Sequence, residues 1–108
     1  MNSEELAFQI ISIAGDGMGL YFKALQEAKN GNFEESDNLF NQATAKIKEA
    51  HKIQSNALFS EARGEKIEMN ILLVHAQDHL MNCILAKEFI KEFVELYKKD
   101  RKGVAIND

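Results

Sequence analysis

Residues 72–81 read Leu72-Leu73-Val74-His75-Ala76-Gln77-Asp78-His79-Leu80-Met81, inside a long apolar run without glycine or proline. At the spacing of an α-helix, this run carries apolar side chains around most of its circumference, which is typical of a helix in the middle of an assembly. Asp78 occupies a position where the pattern calls for leucine or isoleucine, and two histidines flank it. A carboxylate buried there would cost several kcal/mol unless it were paired, protonated or bound to a metal. This stretch is therefore the first candidate for a functional site.

Composition limits the classes of protein that the chain can belong to. Its 108 residues are enough for one domain. The 13 Lys and Arg against 17 Asp and Glu give a net charge of -4, which argues against a nucleic-acid-binding protein. The longest apolar stretches are far shorter than the ~20 residues that span a bilayer, so no direct membrane insertion is expected. The single cysteine, Cys83, excludes an internal disulfide and fits a reducing cytoplasm.

Helical periodicity covers most of the chain, and almost no alternating strand pattern accompanies it. We predict helices over residues 3–29, 33–62 and 66–99, in a single domain over 1–101 with a flexible tail over 102–108. Turns at Gly31 and Gly64 separate the helices. The pairs Asn2 with Glu5 and Asn32 with Glu35 predict capping boxes at the first two helix starts. The predicted fold is all-α, an antiparallel up-down-up three-helix bundle.

The third helix is more apolar than a three-helix monomer requires. A monomer needs one buried face per helix, so we expect other copies of the chain to cover the excess. On a rotation axis, identical copies of Asp78 would converge and could share a cation such as Mg²⁺, which prefers hard oxygen ligands. An aspartate satisfied within one chain remains the alternative.

The first helix contains three glycines, Gly15, Gly17 and Gly19, yet its apolar phase runs through them unbroken. The phase predicts one continuous helix, although a turn that preserves it is an alternative. Each glycine costs about 1 kcal/mol relative to alanine in a helix interior. Either the backbone approaches a neighbouring helix or a phosphate closely here, or the glycines are a tolerated kink.

His75 and His79 lie one helical turn apart on a shared face, about 40° from each other. A two-histidine zinc site has this spacing, but Ala76 stands where the catalytic motif has glutamate. Hydrolysis with Cys83 as nucleophile is poorly supported, because Cys83 lies two turns from His75. A histidine that accepts a phosphoryl group fits better, and core histidines without chemistry remain an alternative. Gln77 points about 200° away from His75 and could reach only a neighbouring chain's site.

Val74–Met81 resembles the active-site signature of the IIA component of the lactose/cellobiose (N,N′-diacetylchitobiose) sugar phosphotransferase system. Two further stretches match that family: Glu49-Ala50-His51 followed by Gln54, and Ala14-Gly15-Asp16. The resemblance covers essentially residues 4–99, and the three-helix layout agrees with it.

The resemblance implies a cytoplasmic phosphotransferase component, a homotrimer with nine packed helices. The histidine matching His75 would accept phosphate from phospho-HPr and pass it to a cysteine of the IIB component, which phosphorylates the sugar during uptake through membrane IIC. His79 and Gln77 would stabilise the phosphoryl group, Gln77 from the adjacent subunit. Asp78 would lie at the trimer axis, where three copies bind Mg²⁺ or another divalent cation. Cys83 would be a core residue, and the residues do not distinguish lactose, cellobiose and chitobiose.

One segment departs from the family pattern. After Ala-Gly-Asp the family commonly has Ala-Arg-Ser, whereas this chain reads Gly17-Met18-Gly19. The missing basic and hydroxyl side chains raise a second hypothesis, a structural or regulatory trimer of the same fold that does not transfer phosphate. His51 matches a family motif position, and we expect it to make a structural hydrogen bond within the bundle.

Overall fold

The computed structural model describes the backbone of residues 2–107 and the side chains of residues 2–101. It contains three helices, α1 (Ser3–Lys29), α2 (Phe33–Ala62) and α3 (Ile71–Asn107). No strand occurs within the described backbone, so the all-α prediction is confirmed. The bounds of α1 and α2 coincide with the predicted ranges. No helix in the described part combines the length and apolarity needed to cross a membrane.

The turn between α1 and α2 depends on Gly31, whose φ of 84° is the left-handed conformation that glycine adopts without strain. The Gly31 amide donates to the Ala28 carbonyl at 3.0 Å, and the Asn32 amide donates to the Glu27 carbonyl at 2.9 Å. This pair of hydrogen bonds is a Schellman motif. A Cβ at Gly31 would also lie 2.8 Å from Nη2 of Arg101, near the end of α3. The backbone angle therefore requires glycine, whereas the Arg101 guanidinium is the far end of a flexible side chain that can move aside.

The two predicted capping boxes have different outcomes. At the start of α1, Asn2 Oδ1 accepts a hydrogen bond from the Glu5 amide at 2.9 Å, and the cap is confirmed. At the start of α2, Asn32 makes no side-chain cap, so that prediction is wrong. Asn32 Nδ2 instead donates to the Glu27 carboxylate at 2.8 Å. A charged acceptor makes the stronger hydrogen bond, and it turns the Asn32 side chain back towards α1.

The third helix begins at Ile71, later than the predicted start at residue 66. Asn70 explains the difference: its Oδ1 accepts from the Leu73 amide at 2.8 Å, and its Nδ2 donates to Ser3 Oγ at 3.0 Å. Asn70 thus caps α3 and ties its first turn to the first turn of α1. The described helical backbone continues to Asn107, beyond the predicted end at residue 99. The prediction of a flexible tail over 102–108 concerns residues whose side chains are outside the described part, so it stays a prediction.

The core lies between the three helices, with α1 packed along both of the others. Small side chains on α1 and α2 allow close helix approach, and larger apolar side chains of α3 fill the remaining space. Tyr21 is fully buried, 5.0 Å from the Phe40 ring in an edge-to-face contact, and its hydroxyl lies 2.9 Å from Thr44 Oγ1. The buried apolar residues include Ala7, Ile10, Ala14, Ala24, Ala28, Ala43, Ile47, Ala50, Leu73, Ala76, Leu80, Cys83, Ile90 and Val94.

Helix α1 is continuous through its three glycines, as predicted, but only one of them is explained by close packing. A Cβ at Gly17 would lie 2.8 Å from Ile47 Cδ1 and 3.0 Å from Ile47 Cγ1. Gly15 and Gly19 have nothing within 4 Å of such an atom. The close approach therefore concerns α2 and the Gly17 position alone.

We expect Gly17→Ala to be less stable than Gly19→Ala by about 1–3 kcal/mol, because only the first methyl overlaps Ile47. Gly19→Ala should be more stable than the wild type by about 1 kcal/mol through helix propensity. Urea unfolding followed by circular dichroism measures both. Equal stability of the two variants would contradict the packing at Gly17.

Candidate functional site

The face of α3 opposite the core is apolar and uncovered in the single chain. Val74, Met81 and Leu85 are 53%, 46% and 56% exposed, and the exposed Asp78 lies among them. We call this the outer apolar face of α3; its large apolar members are Ile71, Val74, Met81, Leu85, Phe89 and Leu96. A continuous row of exposed large apolar side chains marks an interaction surface. Asp78 is thus not buried within one chain, and it would become buried only when something covers this face.

His75 and His79 lie along one edge of the outer apolar face. Their ring centroids are 6.3 Å apart, with 21° between the ring planes. His75 is exposed, whereas His79 is half-buried, with Nε2 3.9 Å from Cys83 Sγ. Cys83 in turn approaches the Ala14 carbonyl of α1. One ring is therefore open to solvent, while the second lies beside it against the α1–α3 interface.

Cys83 is a core residue, as predicted. It has no exposed surface, and its Sγ lies 3.8 Å from the Ala14 carbonyl oxygen. Burial raises the pKa of the Cys83 thiol, because the thiolate would lose its hydration. A protonated and inaccessible thiol is a poor nucleophile, so the structure gives no support to hydrolysis by a Cys–His pair.

Gln77 lies on the other edge of the outer apolar face from His75. It is half-buried and precedes Ile84 by two helical turns, and Ile84 borders α2. His79, by contrast, lies on the side of α3 that contacts α1. The structure therefore does not bring Gln77 to the histidines of its own chain.

A single chain offers few ligands for a metal. No group of three His, Cys, Asp or Glu within the described residues is placed to hold an ion. The described part of the chain therefore offers no third protein ligand there for a zinc ion bound by His75 and His79. Asp78 contributes one carboxylate, and its Oδ2 accepts only a long hydrogen bond of 3.5 Å from Asn82 Nδ2. A divalent cation would fit Asp78 only if other copies of the chain brought further carboxylates to the same point.

His51 lies apart from the other two histidines. It is exposed and borders a cavity between α2 and α3 that three lysines also line. The structural hydrogen bond expected for its ring is not among those formed by the described side chains. Its neighbour Ala50 and the motif residue Gln54 are buried in the bundle.

The Gly17-Met18-Gly19 segment lies within the unbroken helix α1. Met18 is half-buried and packs against the core, and Gly19 is exposed. Phe8 and Phe22 are exposed aromatic side chains on the same side of α1 as Gly15, and no role was predicted for them. Each lies seven residues, or two helical turns, from Gly15, and this spacing in the sequence could have predicted that the two rings share one side of α1.

Comparison with known proteins gives consistent matches over nearly the whole chain. Residues 5–98 match the family described as PTS system, lactose/cellobiose-specific IIA subunit. The lactose-specific EIIA component of Staphylococcus epidermidis is 42% identical over 102 residues, covering 92% of this chain and 98% of that protein. The lichenan-specific phosphotransferase enzyme IIA component of Bacillus subtilis is 40% identical over 105 residues, covering 95% and 96%.

Solved structures agree with these relatives. The cellobiose-specific enzyme IIA of Bacillus anthracis has a TM-score of 0.90 and 45% identity, with 94% of each chain covered. The IIA(chitobiose) structure of Escherichia coli, solved in complex with HPr, has a TM-score of 0.81 and 34% identity, covering 94% of this chain and 98% of that one.

Burial raises the pKa of both Cys83 and Tyr21, so the folded chain holds these protons more tightly than the unfolded chain does. The resulting contribution to the free energy of unfolding is fully present below the pKa values of the unfolded chain. It is lost as pH rises through the pKa values of the folded chain. We expect the free energy of unfolding to fall above about pH 8.5, and Cys83→Ala to remove part of that fall. Urea unfolding from neutral pH to about pH 10 tests this. Parallel curves for the two proteins would contradict it.

Proposed function

The chain belongs to the lactose/cellobiose-specific IIA family of the sugar phosphotransferase system, and from this membership we propose that His75 is the residue that carries the phosphoryl group. The chain is a phosphotransferase component that carries phosphate in systems of the lactose, cellobiose and chitobiose type. The observation that carries the assignment is the exposed ring of His75 beside the half-buried ring of His79. A carrier histidine must be reached by both a donor and an acceptor, and His75 is the exposed member of the pair.

The proposed transfer has two steps at one ring nitrogen. The unprotonated nitrogen of His75 attacks the phosphorus of phospho-HPr; a new N–P bond forms, and the N–P bond of the donor breaks. A thiolate of the IIB component then attacks the same phosphorus, forming an S–P bond and releasing the His75 nitrogen with its electron pair. His79 lies one turn away, where a ring N–H can donate to phosphoryl oxygens in both steps.

We propose phospho-HPr as the donor, because the E. coli IIA(chitobiose) structure that resembles this chain was solved with HPr. A IIB cysteine as acceptor, with membrane IIC in the same system, follows from membership of the family. The same membership supports a cytoplasmic location, and the reduced Cys83 agrees with it.

The proposed assembly is a homotrimer with the outer apolar faces of three α3 helices packed around one axis. This packing would bury Val74, Met81 and Leu85, which one chain leaves exposed. His75 and Gln77 lie on opposite edges of that face, so rotation about the axis would bring Gln77 of one subunit towards His75 of the next. An amide there would donate a further hydrogen bond to the phosphoryl group.

The same axis would gather three Asp78 carboxylates, and we propose that they share one Mg²⁺ or another divalent cation. Carboxylate oxygens are the ligands that such a cation prefers. Without a cation, three carboxylates at close range would repel one another or take up protons. The metal would therefore stabilise the assembly, and the phosphoryl transfer would not pass through it.

We expect one added phosphate per chain when the protein is incubated with phosphoenolpyruvate, enzyme I and HPr, and none for His75→Ala. Intact-mass spectrometry measures the phosphate. His51→Ala is the matched control and should be labelled normally, because His51 lies outside the histidine pair. His79→Ala and Gln77→Ala should slow labelling by about 10²-fold or more without abolishing it. Stoichiometric phosphate on His75→Ala would move the site to another histidine.

We expect EDTA to lower the melting temperature of the wild-type trimer by about 5 °C or more, through loss of a ligand bound only to the folded assembly. Asp78→Asn should melt at the same temperature with and without EDTA or Mg²⁺. Glu49→Gln, which removes an exposed charge from α2, is the control and should keep the EDTA response. An EDTA-independent wild type, with its trimer intact by analytical ultracentrifugation, would exclude a structural cation.

A further inference from the structure

A cavity of about 320 Å³ lies between α2 and α3, apart from the histidine pair. We call it the basic groove; its lining residues are Thr44, Ile47, Lys48, His51, Lys52, Ile84 and Lys87. Three of these side chains carry a positive charge at neutral pH, and no carboxylate lines the groove within the described residues. The groove is thus positively charged, whereas the chain as a whole has a net charge of -4.

The lysines of the basic groove have no close ion-pair partner. Among the described side chains, carboxylates lie within 4.0 Å of Arg63 and Lys98 only. Lys48 and Lys52 also stand one helical turn apart on α2, a like-charge spacing that destabilises a helix by about 0.2–0.5 kcal/mol. A bound anion would relieve this repulsion, whereas nothing in the fold requires two lysines at this spacing.

The base of the groove is apolar. Ile47 is buried, and Ile84 and Lys87 are half-buried. A wall of low dielectric strengthens the attraction between an anion and the ammonium groups above it. The same wall offers contact area for the carbon skeleton of a ligand. The volume lies at the lower end of the range for small-molecule pockets, which fits a phosphate with a small organic group.

We propose that the basic groove is a second anion site that binds a phosphate dianion, free or as the monoester of a small molecule. The ammonium groups of Lys48, Lys52 and Lys87 surround the phosphate, and Ile47 and Ile84 face the rest of the ligand. Ile84 is about 14 Å along α3 from His75 of the same chain and half a turn round it, so within one chain this site is separate from the phosphoryl group on His75. The proposal does not depend on phosphate transfer by His75.

The test is a titration of the unphosphorylated full-length protein, followed by amide chemical shifts at constant ionic strength. The ligands are inorganic phosphate and a hexose 6-phosphate, with the unphosphorylated hexose and sodium chloride as negative controls. We expect saturable shifts centred on Lys48 and Lys87. Higher affinity for the hexose 6-phosphate identifies a monoester as the ligand, and equal affinity identifies free phosphate.

Substitutions locate the site. Lys48→Gln and Lys87→Gln should each weaken binding about three- to tenfold, the effect of removing one charged contact. Lys23→Gln removes the same charge from an exposed position on α1 outside the groove and should leave the affinity unchanged. Equal weakening by Lys23→Gln, shifts reproduced by sodium chloride, or shifts centred on His75 would each overturn the proposal.

Discussion

The organising constraint of this molecule is that α3 has two apolar faces, and one chain has helices enough to cover only one of them. Leu73, Ala76 and Leu80 pack against α1 and α2, while Val74, Met81 and Leu85 on the other face remain exposed. Water contact with that second face is unfavourable by roughly 25 cal/mol for each Å² of apolar surface. This excess supports the proposed association of copies, in which the roles of the polar residues within the apolar run would depend on where they lie relative to the two faces.

The polar residues of the central stretch fall into two groups according to their position on α3. Asp78 stands among the exposed apolar side chains, whereas the two histidines lie at the edge where that face meets the α1–α3 interface. Edge positions would remain reachable from solvent if other copies covered the outer face as proposed. In the proposed assembly, the fold would thereby separate a residue suited to holding copies together from residues suited to chemistry with transient partners, within two turns of one helix.

Periodicity and turn chemistry were sufficient to predict most of the fold, because the helices are long and their apolar phase is regular. The failures came from side chains that found a competing partner across the chain. Asn32 donates to Glu27 instead of capping α2, and Asn70 caps α3 while donating to Ser3, which places the start of α3 later than predicted. For the site, the motif located the histidines and Asp78. It could not reveal the basic groove, whose lysines come from separate helices and meet only through packing.

The turn at Gly31 lies against Arg101 of α3, and this contact bears on how the two positions can diverge in sequence. Its backbone angle excludes most side chains, and the guanidinium of Arg101 occupies the space where a Cβ would go. A substitution at Gly31 thus meets one fixed obstacle, its backbone angle, and one movable one, because the flexible Arg101 side chain can shift aside. Among descendants of this sequence, residue 101 should therefore be free to vary while residue 31 keeps its glycine.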